Sequence, residues 1–163
     1  MALIKDGKAA DDTWRTLDDN AKIPSEGAVI ISLKRWIEEK PWLKGRNAPL
    51  GIVLSSDQPP AIIEDDLERF EIVALDFPAF KDGRAYSYAR LLRERYGYEG
   101  EIRAVGDVLY DQLLFMRRCG FDSFEISDDA PLEDWLNAFD EISLVYQPAT
   151  DERKTVLQAR HNS

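Results

Sequence analysis

A chain of 163 residues, 44% hydrophobic and 32% charged, has the size and composition of one globular domain with a real core. Its formal net charge of −10 argues against nucleic acid or an anionic membrane as a general partner, since both reward clustered Lys and Arg. With one cysteine (Cys119) and one histidine (His161), it can form neither an internal disulfide nor a four-ligand Cys/His metal site, and no metal or cofactor is expected.

In chain order, residues 1–22 are polar and mixed in sign. Ala2 to Ile4 with a turn at Asp6-Gly7 reads as a short hairpin or as loose chain. The run GAVIISL (Gly27–Leu33) is a β-branched strand. In KRWIEEKPWLKGRNA, Pro41 limits a helix to about one or two turns. LGIVLS (Leu50–Ser55) is a second strand. PPAIIEDDLERF is a proline-started helix with Ile63, Leu67 and Phe70 on one stripe. EIVALDF (Glu71–Phe77) is a strand again, with Asp76 near its end.

Asp82 and Gly83 then cap and turn the chain into a helix. Ala85 or Tyr86, Ala89, Leu92 and Tyr96 line one of its faces, and Gly97 ends it. EIRAVGD is a strand closing on Gly106-Asp107. VLYDQLLFMRRCGF is a helix with Leu109, Leu113, Met116 and Cys119 on its buried stripe, stopped by Gly120. The strand DSFEIS, the helix PLEDWLNAFDEI and a last strand SLVY follow, and residues 149–163 read as a mobile tail.

Alternating strands and amphipathic helices predict an α/β fold, with a single domain over residues 23–148 and a mainly parallel sheet of about five strands. The sheet is either open and doubly wound or curved like half of a β/α barrel. No stretch of about 18 apolar residues is available to cross a bilayer. The acid-bearing N-terminus does not read as a secretory signal, so the expected compartment is the cytoplasm.

Ligands of such sheets sit at the carboxyl ends of the strands. That rule directs attention to Ser55–Asp57, Asp76, Asp107 and the junction LDFPAFKDGRAYS. There Lys81, Arg84 and Ser87, with Asp82 and Gly83, form a candidate anion site at a helix start. No phosphate-loop or dinucleotide pattern accompanies it. Asp76 and Asp107 serve as helix caps or as an acid/base pair.

A second constellation is a positive zone within the acidic chain. From Lys81 to Arg118 there are eight Lys and Arg against six Asp and Glu. Tyr88, Arg90, Arg93, Arg103, Arg117 and Arg118 are candidates for a docking face or for a plain ion-pair lattice. Cys119 reads as inert packing.

The block DGRAYSYARLLRER followed by GEIRAVGDVLYDQLLFMRRCGF is long and particular. It resembles a bacterial family of unknown function, typically encoded beside assimilatory sulfite reductase and labelled an oxidoreductase of sulfite reduction. PLGIVLSSDQPP upstream and FEI with an acidic helix downstream are consistent with it. The resemblance implies an accessory protein that docks on sulfite reductase or on a ferredoxin-like electron donor through the Arg/Tyr face. The alternative it leaves open is an enzyme or anion-binding domain at the strand ends.

Overall fold

The computed structural model describes residues 2–79, 82–127 and 131–137. The apolar, β-branched runs become strands, and most of the stretches between them become helical connections. The elements are β1 (Ala2–Lys5), β2 (Lys8–Ala10), β3 (Arg15–Thr16), β4 (Val29–Ser32), α1 (Leu33–Gly45) and β5 (Leu50–Leu54). A 3-10 helix (Pro60–Arg69), β6 (Ile72–Phe77) and α2 (Arg84–Arg90) follow, the last running into a π turn (Leu91–Arg95). Then come β7 (Glu101–Gly106), a 3-10 turn (Tyr110–Gln112), α3 (Leu113–Cys119) and β8 (Ser123–Ile126). Residues 132–137 are helical. The expected strand SLVY and the tail 149–163 lie outside the described residues.

Among the described residues the sheet has eight strands, not about five, in the order β2-β1-β8-β7-β6-β5-β4-β3. The extra strands come from the N-terminal segment. β1 and β2 form a hairpin around Asp6 and Gly7, both at positive φ. β1 then pairs antiparallel with β8, with Ala2 opposite Ile126 and Lys5 opposite Ser123. At the far edge β3 pairs with β4, and from β3 to β8 every pairing is parallel.

From β4 onward each parallel strand lies beside its predecessor. The order therefore never reverses, as it would in a doubly wound sheet. Right-handed crossovers that all run in one direction fall on one face, which is the half-barrel arrangement. The N-terminus enforces the curl. Ala10 ends one edge and Arg15 begins the other. Five residues reach at most about 18 Å, whereas eight flat strands would span about 34 Å. The two edges must bend toward each other.

Strand alternation divides the residues between the faces. Val29, Ile31, Leu50, Ile52, Leu54, Val73, Leu75, Phe77, Ile102, Ala104, Phe124 and Ile126 join the main core. They pack with Trp36, Ile63, Leu67, Ala85, Ala89, Leu92, Leu113, Met116 and Cys119 from the helical layer. The opposite, concave face carries Ile30, Gly51, Ile72, Ala74, Arg103 and Ser123. Gly51 is there because of space: a Cβ would sit 3.1 Å from Ile30 Cγ1 and 3.2 Å from Ile72 Cβ.

Two helical segments depart from a regular α-helix. α1 spans 13 residues through Pro41 but is two short pieces, because Glu39 leaves helical geometry (φ −118°, ψ 17°) and splits it, so each piece keeps to the one or two turns expected. Pro41 then sits in the first turn of the second piece, where a missing N–H costs nothing. The segment Pro60–Arg69 is 3-10 and not α-helical, yet it still buries Ile63 and Leu67.

Arginines staple the loops at the amino ends of the parallel strands. Arg46 donates to the carbonyls of Pro24 (2.8 Å), Gly27 (2.6 Å) and Pro49 (3.0 Å), and Arg69 to those of Leu43, Arg46 and Ala48. Arg93 donates to Tyr98, Gly100 and Gly120 carbonyls and pairs with Asp122 at 2.6 Å. Asp122 Oδ2 also accepts from Ile102 N.

Gly51→Val should lower stability by about 1–3 kcal/mol through overpacking of the concave face, read as a lower urea midpoint at unchanged slope. Arg93→Met should cost about 3 kcal/mol, because it strands Asp122 and three carbonyls.

Candidate functional site

Loops following β5, β6 and β7 meet at the carboxyl end of the sheet. The β5 loop folds on itself: Ser55 N donates to Gln58 Oε1 (2.9 Å) and Ser55 Oγ to Asp57 Oδ1 (2.6 Å). It is tied to α2 by two bonds, Tyr88 Oη to the Ser56 carbonyl (2.6 Å) and Arg84 Nη2 to Ser56 Oγ (3.0 Å). The β6 and β7 ends are equally close. Asp107 N donates to the Phe77 carbonyl at 2.7 Å. Gly106 has φ +89°, and a Cβ there would lie 2.5 Å from both Asp76 Oδ1 and the Phe77 carbonyl oxygen. Glycine is required by conformation and by space.

Arg84 reaches its own neighbour first. Its Nε and Nη2 donate to the two oxygens of Asp82 at 3.1 and 2.8 Å, and Asp82 Oδ1 also accepts from Arg84 N. These bonds hold the Asp82 carboxyl well below the usual carboxylate range. The hydrogen bond from Ser55 lowers Asp57 likewise. Asp76 moves the other way: burial, and then the negative charge of Asp82, raise it.

The edge thus brings together Asp57, Asp76, Asp82, Arg84 and Asp107, with the Ser87 side chain exposed on α2. Lys81 lies outside the described residues. Four carboxylates share this end of the sheet with one described guanidinium, whose fork is already occupied by Asp82. This favours holding or moving a proton over taking up an oxyanion. Among the described residues no three His, Cys, Asp or Glu are grouped so as to hold a metal ion.

The arginines proposed for docking separate into three environments. Arg103, 2% exposed, is buried on the concave face among Asp12, Glu101 and Glu125, so it is removed from the surface. Arg93 is half-buried in its loop staple. Arg90, Arg117 and Arg118 are exposed on α2 and α3, and Tyr88 belongs to the strand-end cluster through Ser56.

Arg90 lies 5.8 Å from the Phe115 ring centroid, and its Nε donates to Cys119 Sγ at 3.4 Å. Phe115 is 42% exposed and packs on Tyr86 at 4.7 Å between centroids. Phe115 was missed in the sequence, though the signal exists: it falls off the Leu113, Met116, Cys119 stripe of its own helix.

Asp76 carries a pH signature. Its folded-state pKa lies above the unfolded value, so its ionisation penalises the fold once pH exceeds both values. Asp76→Asn should therefore raise the melting temperature at pH 7, and the gain should shrink as pH falls through the carboxylate range.

A comparison with curated proteins returned no match. The family model for a bacterial protein of unknown function, DUF934, matches residues 51–157. That span covers β5 through β8, the strand-end cluster and the α2/α3 face, and the chain belongs to this family.

Proposed function

We propose that the protein is a cytoplasmic accessory protein of assimilatory sulfite reduction, docking through the exposed α2/α3 face on sulfite reductase or its ferredoxin-like electron donor. The observation that carries the docking role is the Arg90–Phe115 contact. An exposed aromatic ring backed by Tyr86 and capped by a guanidinium is the composition of interface anchors. Arg118 lies one helical turn beyond Phe115, and Arg117 beside it, so the ring is set among exposed cations in an otherwise acidic chain. A negatively charged partner is the natural counterpart, since complementary charge speeds encounter and excludes wrong partners. The sulfite connection rests on the sequence resemblance alone.

The alternative, an oxidoreductase or anion-binding enzyme at the strand ends, draws support from the Asp76 carboxyl, which burial and the negative charge of Asp82 raise. Against it stands the occupied fork of Arg84. The docking reading is therefore preferred.

Gel filtration at low salt should show co-elution with sulfite reductase or its electron donor, weakening as salt rises. Arg90→Glu combined with Phe115→Ser should weaken binding at least about tenfold, as expected for loss of an anchor, without lowering the urea midpoint by a comparable measure. Separate elution at low salt, with the donor present, would overturn the proposal.

A further inference from the structure

The crossovers of this sheet keep one direction. From β4 to β8 each strand pairs in parallel with its predecessor, so every step moves the chain one place further toward the β8 side. The residues after β8 repeat the start of that pattern. Residues 132–137 are helical, and Trp135, 3% exposed, joins the core on the helical face of the sheet. A crossover over that face is right-handed, and it carries the next parallel strand onward in the same direction.

The place directly beyond β8 is taken. β1 fills it, antiparallel, and β2 lies outside β1. Two antiparallel steps restore the original direction, so β2 runs parallel to β8. An incoming parallel strand therefore meets, at β2, an edge of the orientation it needs.

That edge is open in a defined way. Asp6 and Gly7, both at positive φ, form a two-residue turn between the opposed Lys5 and Lys8. Such a turn makes Lys5 and Lys8 a hydrogen-bonded pair. Alternation along the ladder then turns Ala10 toward β1, and the N–H and C=O of Ala9 outward. Across the seam stands β3, the other edge, and Ala9, Ala10, Arg15 and Thr16 line a groove of about 460 Å³ there.

The next strand-like run in the chain is SLVY, residues 143–146. Sixteen residues, 127–142, separate it from the end of β8. A parallel crossover needs about a dozen, so the spacing suffices. We propose that residues 143–146 are the occupant of the β2 edge, adding to the sheet in parallel, bonding to the N–H and C=O of Ala9 and entering the seam beside β3. This addition covers an edge that otherwise invites pairing with other chains.

The test uses the full chain and backbone amide hydrogen exchange read by NMR. The wild-type Ala9 amide should exchange at least about tenfold more slowly than in an unstructured peptide, as a hydrogen-bonded strand amide does. Leu144→Pro combined with Val145→Pro removes two donors from the incoming segment. It should return Ala9 to the unprotected rate while the Ile102 and Ala104 amides stay protected, which shows that the fold persists. A nitroxide attached at Ser143→Cys, in a Cys119→Ala background, needs no disruptive change and should broaden the amide resonances of Ala9 and Ala10. Four results would each overturn the proposal: an unprotected Ala9 amide in the wild type, protection that survives the double proline variant, no broadening by the nitroxide, or protection lost on dilution, which would mark a second copy of the chain at this edge.

Discussion

Four residues connect the two edges of the sheet, and their short reach shapes the molecule. Because Ala10 and Arg15 belong to opposite edges, the strands between them must curl until the link can close. The curl creates a concave face too narrow for large side chains around Gly51. Toward β7 and β8 it encloses the charged set Lys5, Asp12, Glu101, Arg103 and Glu125. Burying such a set is costly unless each member is paired. Lys5 and Ser123 answer Glu101: burial pushes its pKa up, but their hydrogen bonds and the Arg103 charge outweigh this and hold it low. Arg103 is the member left incompletely satisfied.

The remaining arginines divide into structural and surface roles. Arg46, Arg69 and Arg93 spend their donors on backbone carbonyls at the amino ends of the parallel strands, closing the loops that lead into them. Arg90, Arg117 and Arg118 stay exposed on α2 and α3. The carboxyl ends, freed of that stapling duty, gather aspartates instead. Their loops are joined mainly through Ser56, which links β5 to α2 by way of Arg84 and Tyr88. In half-barrel folds, loops of this kind at the strand carboxyl ends are where chemistry varies while the opposite end holds the scaffold.

The sequence made the parallel core legible because buried strands between Leu50 and Ile126 are short, apolar and separated by helical stripes. It did not disclose β3, since Arg15 and Thr16 carry no strand pattern and pair only because the curl brings them beside β4. Nor could spacing separate Arg90 from Arg93. They are three residues apart on one helical segment, yet Arg93 meets the carbonyls of Tyr98, Gly100 and Gly120 while Arg90 meets an aromatic ring. Asp76 and Asp107 stand at the carboxyl ends of the neighbouring strands β6 and β7, whose pairing runs from Ile72 opposite Glu101 to Phe77 opposite Gly106. The closure of Asp82 over Arg84 depends on loop geometry that no periodicity encodes. Asp12 gave no local signal at all, because its partner lies 91 residues away.

The pairing of β1 with β8 also sets an order of events during synthesis. Beyond its own hairpin partner β2, β1 has no strand to join until Ile126 has left the ribosome. At bacterial elongation speeds that wait is on the order of ten seconds, during which the core strands can already assemble. The hairpin is therefore a late closure of a nascent sheet, and until it arrives the edge of β8 stays open to pairing with other chains.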